Sequence, residues 1–239
     1  MIKVINVCFS LYQKIIELLY SRQKKYGTIL MFHDVYRDNV HPKKPNVAIS
    51  VSNFIKLLDV IGESNLKKKI YCYDDLFFLK KNDVLITFDD VLSSVLENAL
   101  PILRERKIPY IIFVSNEFIG QDGYISANDV KSLKKDPLCV IGSHSLRHRK
   151  YRFSPAKLLP EAILSSTYLG ASLFAYPYGS IFAVSKKNTK DIESSGAFSC
   201  AFSTISAPLT KNSRAKRWML PRINVNDEYV VQNKMKTKH

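Results

Sequence analysis

The sequence predicts an α/β chain folded as a distorted (β/α)7-type barrel, a single domain carrying an N-terminal amphipathic helix. Three observations predict it. Short apolar runs rich in β-branched and aromatic residues recur from residue 28 onward, mostly continuous rather than alternating, as in strands buried on both faces. Amphipathic helical patterns separate them, which makes successive strands parallel. Seven such units in 239 residues suit one closed barrel better than an open sheet.

The first unit is residues 1–26, where Val4, Val7, Cys8, Leu11, Ile15, Leu18 and Leu19 recur at helical spacing with Lys14, Arg22, Lys24 and Lys25 outside the stripe. Such a helix either packs on the domain at 27–239 or lies in a membrane interface. Gln13, Lys14 and Glu17 interrupt the apolar run and no small-residue cleavage site follows, so a removable signal peptide is not expected. No stretch reaches the roughly 18 uninterrupted apolar residues of a membrane span. Strands are then predicted at 28–32, 84–88, 110–114, 139–142, 173–176, 200–203 and 219–223, with helices near 51–61, 93–106, 128–134, 154–168 and 184–195. Ser93 with Leu96, Leu100 and Leu103 reads as one capped helix ending before Ile108-Pro109.

Composition excludes several classes. Hydrophobic residues are 46% and charged ones 24%, so disordered and fibrous chains are out. Four widely spaced cysteines, without a CxxC, read as small buried hydrophobes in a reducing compartment. The net charge of +15 is concentrated at 1–26 and 211–239. A nucleic-acid partner is not expected, because no aromatic-basic groove pattern accompanies that charge. Basic ends suit an anionic membrane surface, an anionic substrate, or solubility.

In parallel α/β folds the chemistry sits at the carboxyl ends of the strands. There the sequence places His33-Asp34, Asp89-Asp90 (within TFDD), His144 and His148 (within SHSLRH), Tyr178 and Gly179 (within YPYG), and Arg222-Ile223-Asn224. His144 and His148, four apart, suit one face of a helical turn and one metal. Asp90 completes a two-His, one-carboxylate site, and Asp89 remains as a base beside a metal-bound water. Taken alone, an Asp pair also suits capping of the next helix.

The ordered motifs TFDD, SHSLRH and FAYPYG, with ILMFHDV before and LPRINV after, resemble the polysaccharide deacetylase family (carbohydrate esterase family 4, the NodB-homology domain) over residues 28–226. TFDDVLSSVLENALPILRERKIPYIIFVS and FAYPYGS are similar to its capsule and surface-glycan branch. The resemblance implies Asp89 as general base, and Asp90, His144 and His148 as ligands of a divalent metal, zinc or else cobalt or nickel. It also implies Tyr178 as backbone donor to the oxyanion, in a turn shaped by Pro177, with Tyr176 lining the substrate. The implied reaction is hydrolysis of an N-acetyl or O-acetyl group on a bacterial surface polysaccharide or its lipid- or nucleotide-linked precursor. The expected compartment is the cytoplasm or the inner membrane face.

The sequence departs from the family pattern at informative places. Val91 replaces the usual glycine, the arginine that opens the YPYG-like motif is absent, and LPRINV lacks the histidine that protonates the leaving amine. His33 either supplies that proton or supports the barrel rim. Arg222 either orients the base or binds a substrate anion, and Trp218 either stacks on a sugar or packs in the core. A catalytically impaired relative that retains the metal is the alternative function.

Overall fold

The structure, a computed structural model, describes residues 26–151, 153–180 and 183–236. The predicted N-terminal helix lies outside the described residues, apart from Tyr26.

Seven parallel strands form one curled sheet: β1 (Thr28–Phe32), β4 (Val84–Asp89), β5 (Tyr110–Val114), β6 (Cys139–Ser143), β7 (Leu173–Ala175), β8 (Cys200–Phe202) and β9 (Ile223–Asn224), in the order β8-β7-β6-β5-β4-β1-β9. A small parallel pair, β2 (Asp34–Tyr36) and β3 (Ala48–Ser50), stands apart. The helices are α1 (Val51–Ile61), α2 (Leu100–Glu105), α3 (Ala127–Lys135), α4 (Leu158–Leu169), α5 (Lys186–Ser194), α6 (Lys211–Ala215) and α7 (Asp227–Lys236). This is the α/β barrel class that the sequence predicts. Among the described residues no helix is long and apolar enough to cross a membrane.

Both faces of the strands are dry, which explains their continuous apolar sequences. Leu30, Phe32, Ile86, Phe88, Ile112 and Val114 pack outward in one cluster with the helices. Their neighbours Ile29, Leu85, Ile111 and Phe113 point inward and meet Leu173, Phe202 and Leu220. Gly142 lets the Phe113 ring lie against the backbone, for a Cβ there would come within 2.4 Å of it.

The predicted last strand is split. Leu220 pairs with Phe202 of β8, whereas Ile223 and Asn224 pair with Leu30 and Met31 of β1. Pro221 lies between and has no N–H to continue a ladder. The segment therefore spans the sheet's two edges, touching each in turn. The predicted helix at 93–106 also changes form. Residues Val95–Ala99 are π-helical before α2 begins, and the Leu100 N–H reaches Val95 O. Pro101 cannot donate to Glu97, and the wider turn accommodates that loss. Ser93 bonds Gly123 O rather than capping the helix.

Candidate active site

Strand alternation aims Asp89 into the barrel with Leu85 and Thr87. There it is 1% exposed and meets Arg222, itself fully buried. Arg222 donates Nη1 to Asp89 Oδ1 and Nη2 to Asp89 Oδ2, both at 2.6 Å, Nη1 to Thr87 Oγ1 at 3.3 Å, and Nε to Ser203 O at 3.0 Å. Burial alone would raise the Asp89 pKa, but the charges of Arg222 and His144 and the Arg222 hydrogen bonds lower it to about 2.

By the same alternation Asp90 would face the helices. Instead the chain reverses, with φ of 63° at Asp90 and 61° at Val91 and the Val91 N–H bonded to Asp89 O at 2.7 Å. This tight turn leaves Asp90 beside both histidines: Oδ1 is 3.1 Å from His148 Nε2 and 3.5 Å from His144 Nε2, and the two Nε2 atoms are 3.2 Å apart. His144 Nδ1 lies 2.8 Å from Ala175 O, an acceptor, so Nδ1 carries the proton and Nε2 the lone pair. The histidine pair does not share a helical turn. Residues 144–150 form a loop that turns at Ser145, φ 71°, and the His148 N–H is held by the Glu117 carboxylate.

Burial lowers the pKa of His144 to about 3 and of His148 to about 4 against the pull of Asp89, and raises Asp90 to about 6. With both imidazoles neutral, the three converging atoms hold more lone pairs than protons, and Asp90 Oδ1 is buried without a hydrogen-bond partner. The set Asp90, His144 and His148 fits a divalent cation.

The YPYG segment forms a turn closed by Gly179 N–H to Tyr176 O at 2.9 Å, with Tyr178 at φ 54°. A Cβ at Gly179 would stand 2.8 Å from Thr204 N, so only glycine fits. The Tyr178 N–H donates to none of the described residues, and its ring lies 4.6 Å from that of His148. Pro177 and Tyr178 line a cavity beside it.

Two sequence-predicted substrate contacts, those of Tyr176 and Arg222, are corrected. Tyr176 is fully buried, packs on Phe174 and donates its hydroxyl to Trp218 O, so it is a core residue. Trp218 is half-buried against that same cluster, under Arg217. Arg222 cannot touch substrate, because its guanidinium is sealed beneath Asp89. His33 is half-buried near both aspartates, its Nδ1 shielded and unpaired, and burial lowers its pKa below 6.5 against their charges. Glu117 was missed, although its place just past the end of β5 is where strand-end reasoning looks.

Fold and site together define a class, α/β-barrel hydrolases with a buried, arginine-paired carboxylate beside a candidate metal centre. The polysaccharide deacetylase family model matches residues 79–196. The poly-β-1,6-N-acetyl-D-glucosamine N-deacetylase of Staphylococcus aureus (strain MSSA476) is 23% identical over 235 residues, covering 88% of this chain and 78% of that protein. Among solved structures, the Streptococcus pyogenes deacetylase PplD in complex with acetate aligns with a TM-score of 0.71 at 19% identity, over 89% of this chain and 97% of that one. IcaB from Ammonifex degensii aligns with a TM-score of 0.62 at 23% identity, over 91% and 99%. The chain belongs to the polysaccharide deacetylase family, and its relatives named N-deacetylases are hydrolases of carbon–nitrogen bonds.

Proposed function

We propose that this chain is a metal-dependent deacetylase that removes N-acetyl groups from a bacterial surface glycan. The observation that carries the reading is the convergence of Asp90, His144 and His148 beside the buried Asp89–Arg222 pair. Asp90, His144 and His148 would hold the cation, zinc or else cobalt or nickel. When bound, it supplies a water of lowered pKa and polarises the acyl carbonyl.

The chain's own residues do the rest. Asp89, kept anionic by Arg222, accepts the proton of the attacking water. The free Tyr178 N–H donates to the carbonyl oxygen as negative charge develops on it. Pro177 and Gly179 hold that donor in place. The leaving amine takes its proton from His33, the remaining histidine at these strand ends. The N-deacetylase names of the relatives support amide over ester cleavage. The basic ends at 1–26 and 211–239 support peripheral contact with an anionic membrane carrying the substrate.

The test is the metal content of the purified full chain together with acetate release from β-1,6-linked N-acetylglucosamine oligomers. One equivalent of divalent metal with acetate release is expected. A metal-free chain that ignores added zinc, cobalt and nickel would overturn the reading. Metal without turnover would instead favour the impaired relative, a second reading that draws on the low pKa of His33.

A further inference from the structure

A cavity of about 240 Å³ opens beside the metal cluster, with Lys150 and Ser180 as its polar wall and Tyr151 and Pro177 beneath. Tyr178 joins it to the site: its ring lies 4.6 Å from that of His148, while Lys150 Nζ stands 5.3 Å from its centroid. A group continuing past Tyr178 from the cluster meets the Lys150 ammonium.

That ammonium has no ion pair among the described residues. The nearby acid, Glu161, is already taken by Arg149 at 3.1 Å and by the Tyr151 hydroxyl at 2.6 Å. The Ser180 hydroxyl likewise makes no hydrogen bond among the described residues. Lys44 also stands close enough for its charge to act on both Asp90 and His148. Arg222 cancels Asp89, and a divalent cation would offset Asp90 and Glu117. Lys44 and Lys150 then leave the mouth positive, which draws anionic ligands. Stacking on Tyr178 also restrains the Lys150 side chain, so less entropy is lost when it binds.

We propose that the Lys150–Ser180 cavity is a subsite for an anionic substituent, a carboxylate or a phosphate, on the sugar that bears the acetyl group or on its neighbour. Its volume falls below the roughly 300–1,000 Å³ of a drug-sized pocket, which suits one sugar residue of a longer chain. The preferred substrate is therefore an acidic N-acetylated glycan. This rests on the deacetylase reading.

The experiment compares zinc-loaded full chain on three matched oligosaccharides: neutral N-acetylglucosamine oligomers, the same with alternating glucuronate, and the same bearing a phosphate monoester on a hydroxyl that the linkage leaves free. Acetate release should favour at least one acidic substrate by roughly tenfold in kcat/KM, and the better arm identifies carboxylate or phosphate. Lys150→Met should cut the acidic-to-neutral ratio about five- to tenfold, Lys150→Arg should retain it, and about 0.5 M salt should shrink it. A parent without preference, or a ratio unchanged in Lys150→Met, overturns the subsite while acetate release upholds the deacetylase. If no substrate releases acetate, the deacetylase reading fails and NMR-monitored binding decides the subsite. Tighter binding of an acidic oligosaccharide to the parent than to Lys150→Met supports it, and equal binding overturns it.

Discussion

Replacing Arg222 with Met isolates the pair at the floor of the site. Methionine fills much of the arginine's volume but brings no charge, while Asp89 stays 1% exposed. Stranding one partner of a buried ion pair costs about 3–5 kcal/mol. In a chain of this length 1 kcal/mol moves Tm by roughly 2–4 °C, so Arg222→Met should melt about 6–20 °C below the parent. Scanning calorimetry at neutral pH measures the shift, and a double-mutant cycle assigns it. Asp89→Asn with Arg222→Met should recover at least about half of the loss, because no buried charge is then stranded. The pH dependence has a definite sign. The folded pKa of Asp89 lies below its ordinary 3.8, so its stabilisation is present above that value and is lost as pH falls toward about 2. The gap between parent and Arg222→Met should narrow as pH falls. A melting point within about 2 °C of the parent, or a double variant as damaged as the two single losses added, would refute the reasoning.

The remaining predictions concern the groups above that pair. His144→Ala should lose stoichiometric metal, measured by elemental analysis after dialysis; full occupancy would remove it from the ligand set. Asp89→Asn should keep its metal and lose at least about a hundredfold in turnover, the scale of a missing general base; near-parental turnover would show that the water needs no such base. His33→Gln should keep the metal, lose about ten- to a thousandfold in turnover and abolish the fall in rate that sets in as pH rises through the His33 pKa, which burial holds below 6.5, whereas parental rates at every pH would make His33 structural. At Val91, with φ of 61°, Ala should be less stable than Gly by about 1 kcal/mol in urea unfolding, and the ordinary preference for Ala would show that the turn relaxes.

The strands were legible because both their faces are dry: an unbroken run such as Tyr110–Val114 has one physical explanation in a chain with helices on either side of it. The cluster was legible because its three residues sit just past strand ends. Local chemistry without a sequence period was not legible. The split at Pro221 depends on which neighbour each half of the segment meets, and the π-helical turn before α2 on a missing donor at Pro101. Tyr176 sits at a strand end like its functional neighbours, but the alternation that points it into the Phe174 cluster is fixed by register, which one sequence does not display. Arg222 carried two readings because an arginine's partner is set by tertiary placement alone.

Backbone strain explains why the site assembles at all. Of the five non-glycine residues with positive φ among the described residues, four lie in it: Asp90, Val91, Ser145 and Tyr178. A strand end presents side chains alternately to opposite faces, so two adjacent residues such as Asp89 and Asp90 cannot both reach one centre in regular geometry. The reversal at Asp90 removes that restriction, the turn at Ser145 brings His148 back over His144, and the one at Tyr178 sets its ring 4.6 Å from that of His148. Each such conformation costs on the order of 1–3 kcal/mol and persists only where the surroundings over-determine it. Here they do: Val91 is fully buried, Ser145 Oγ is bonded to the Tyr151 hydroxyl, and Gly179 is packed against Thr204. The dry barrel beneath therefore does more than carry the site, since its packing supplies the stability that holds four unfavourable backbone turns aimed at one another.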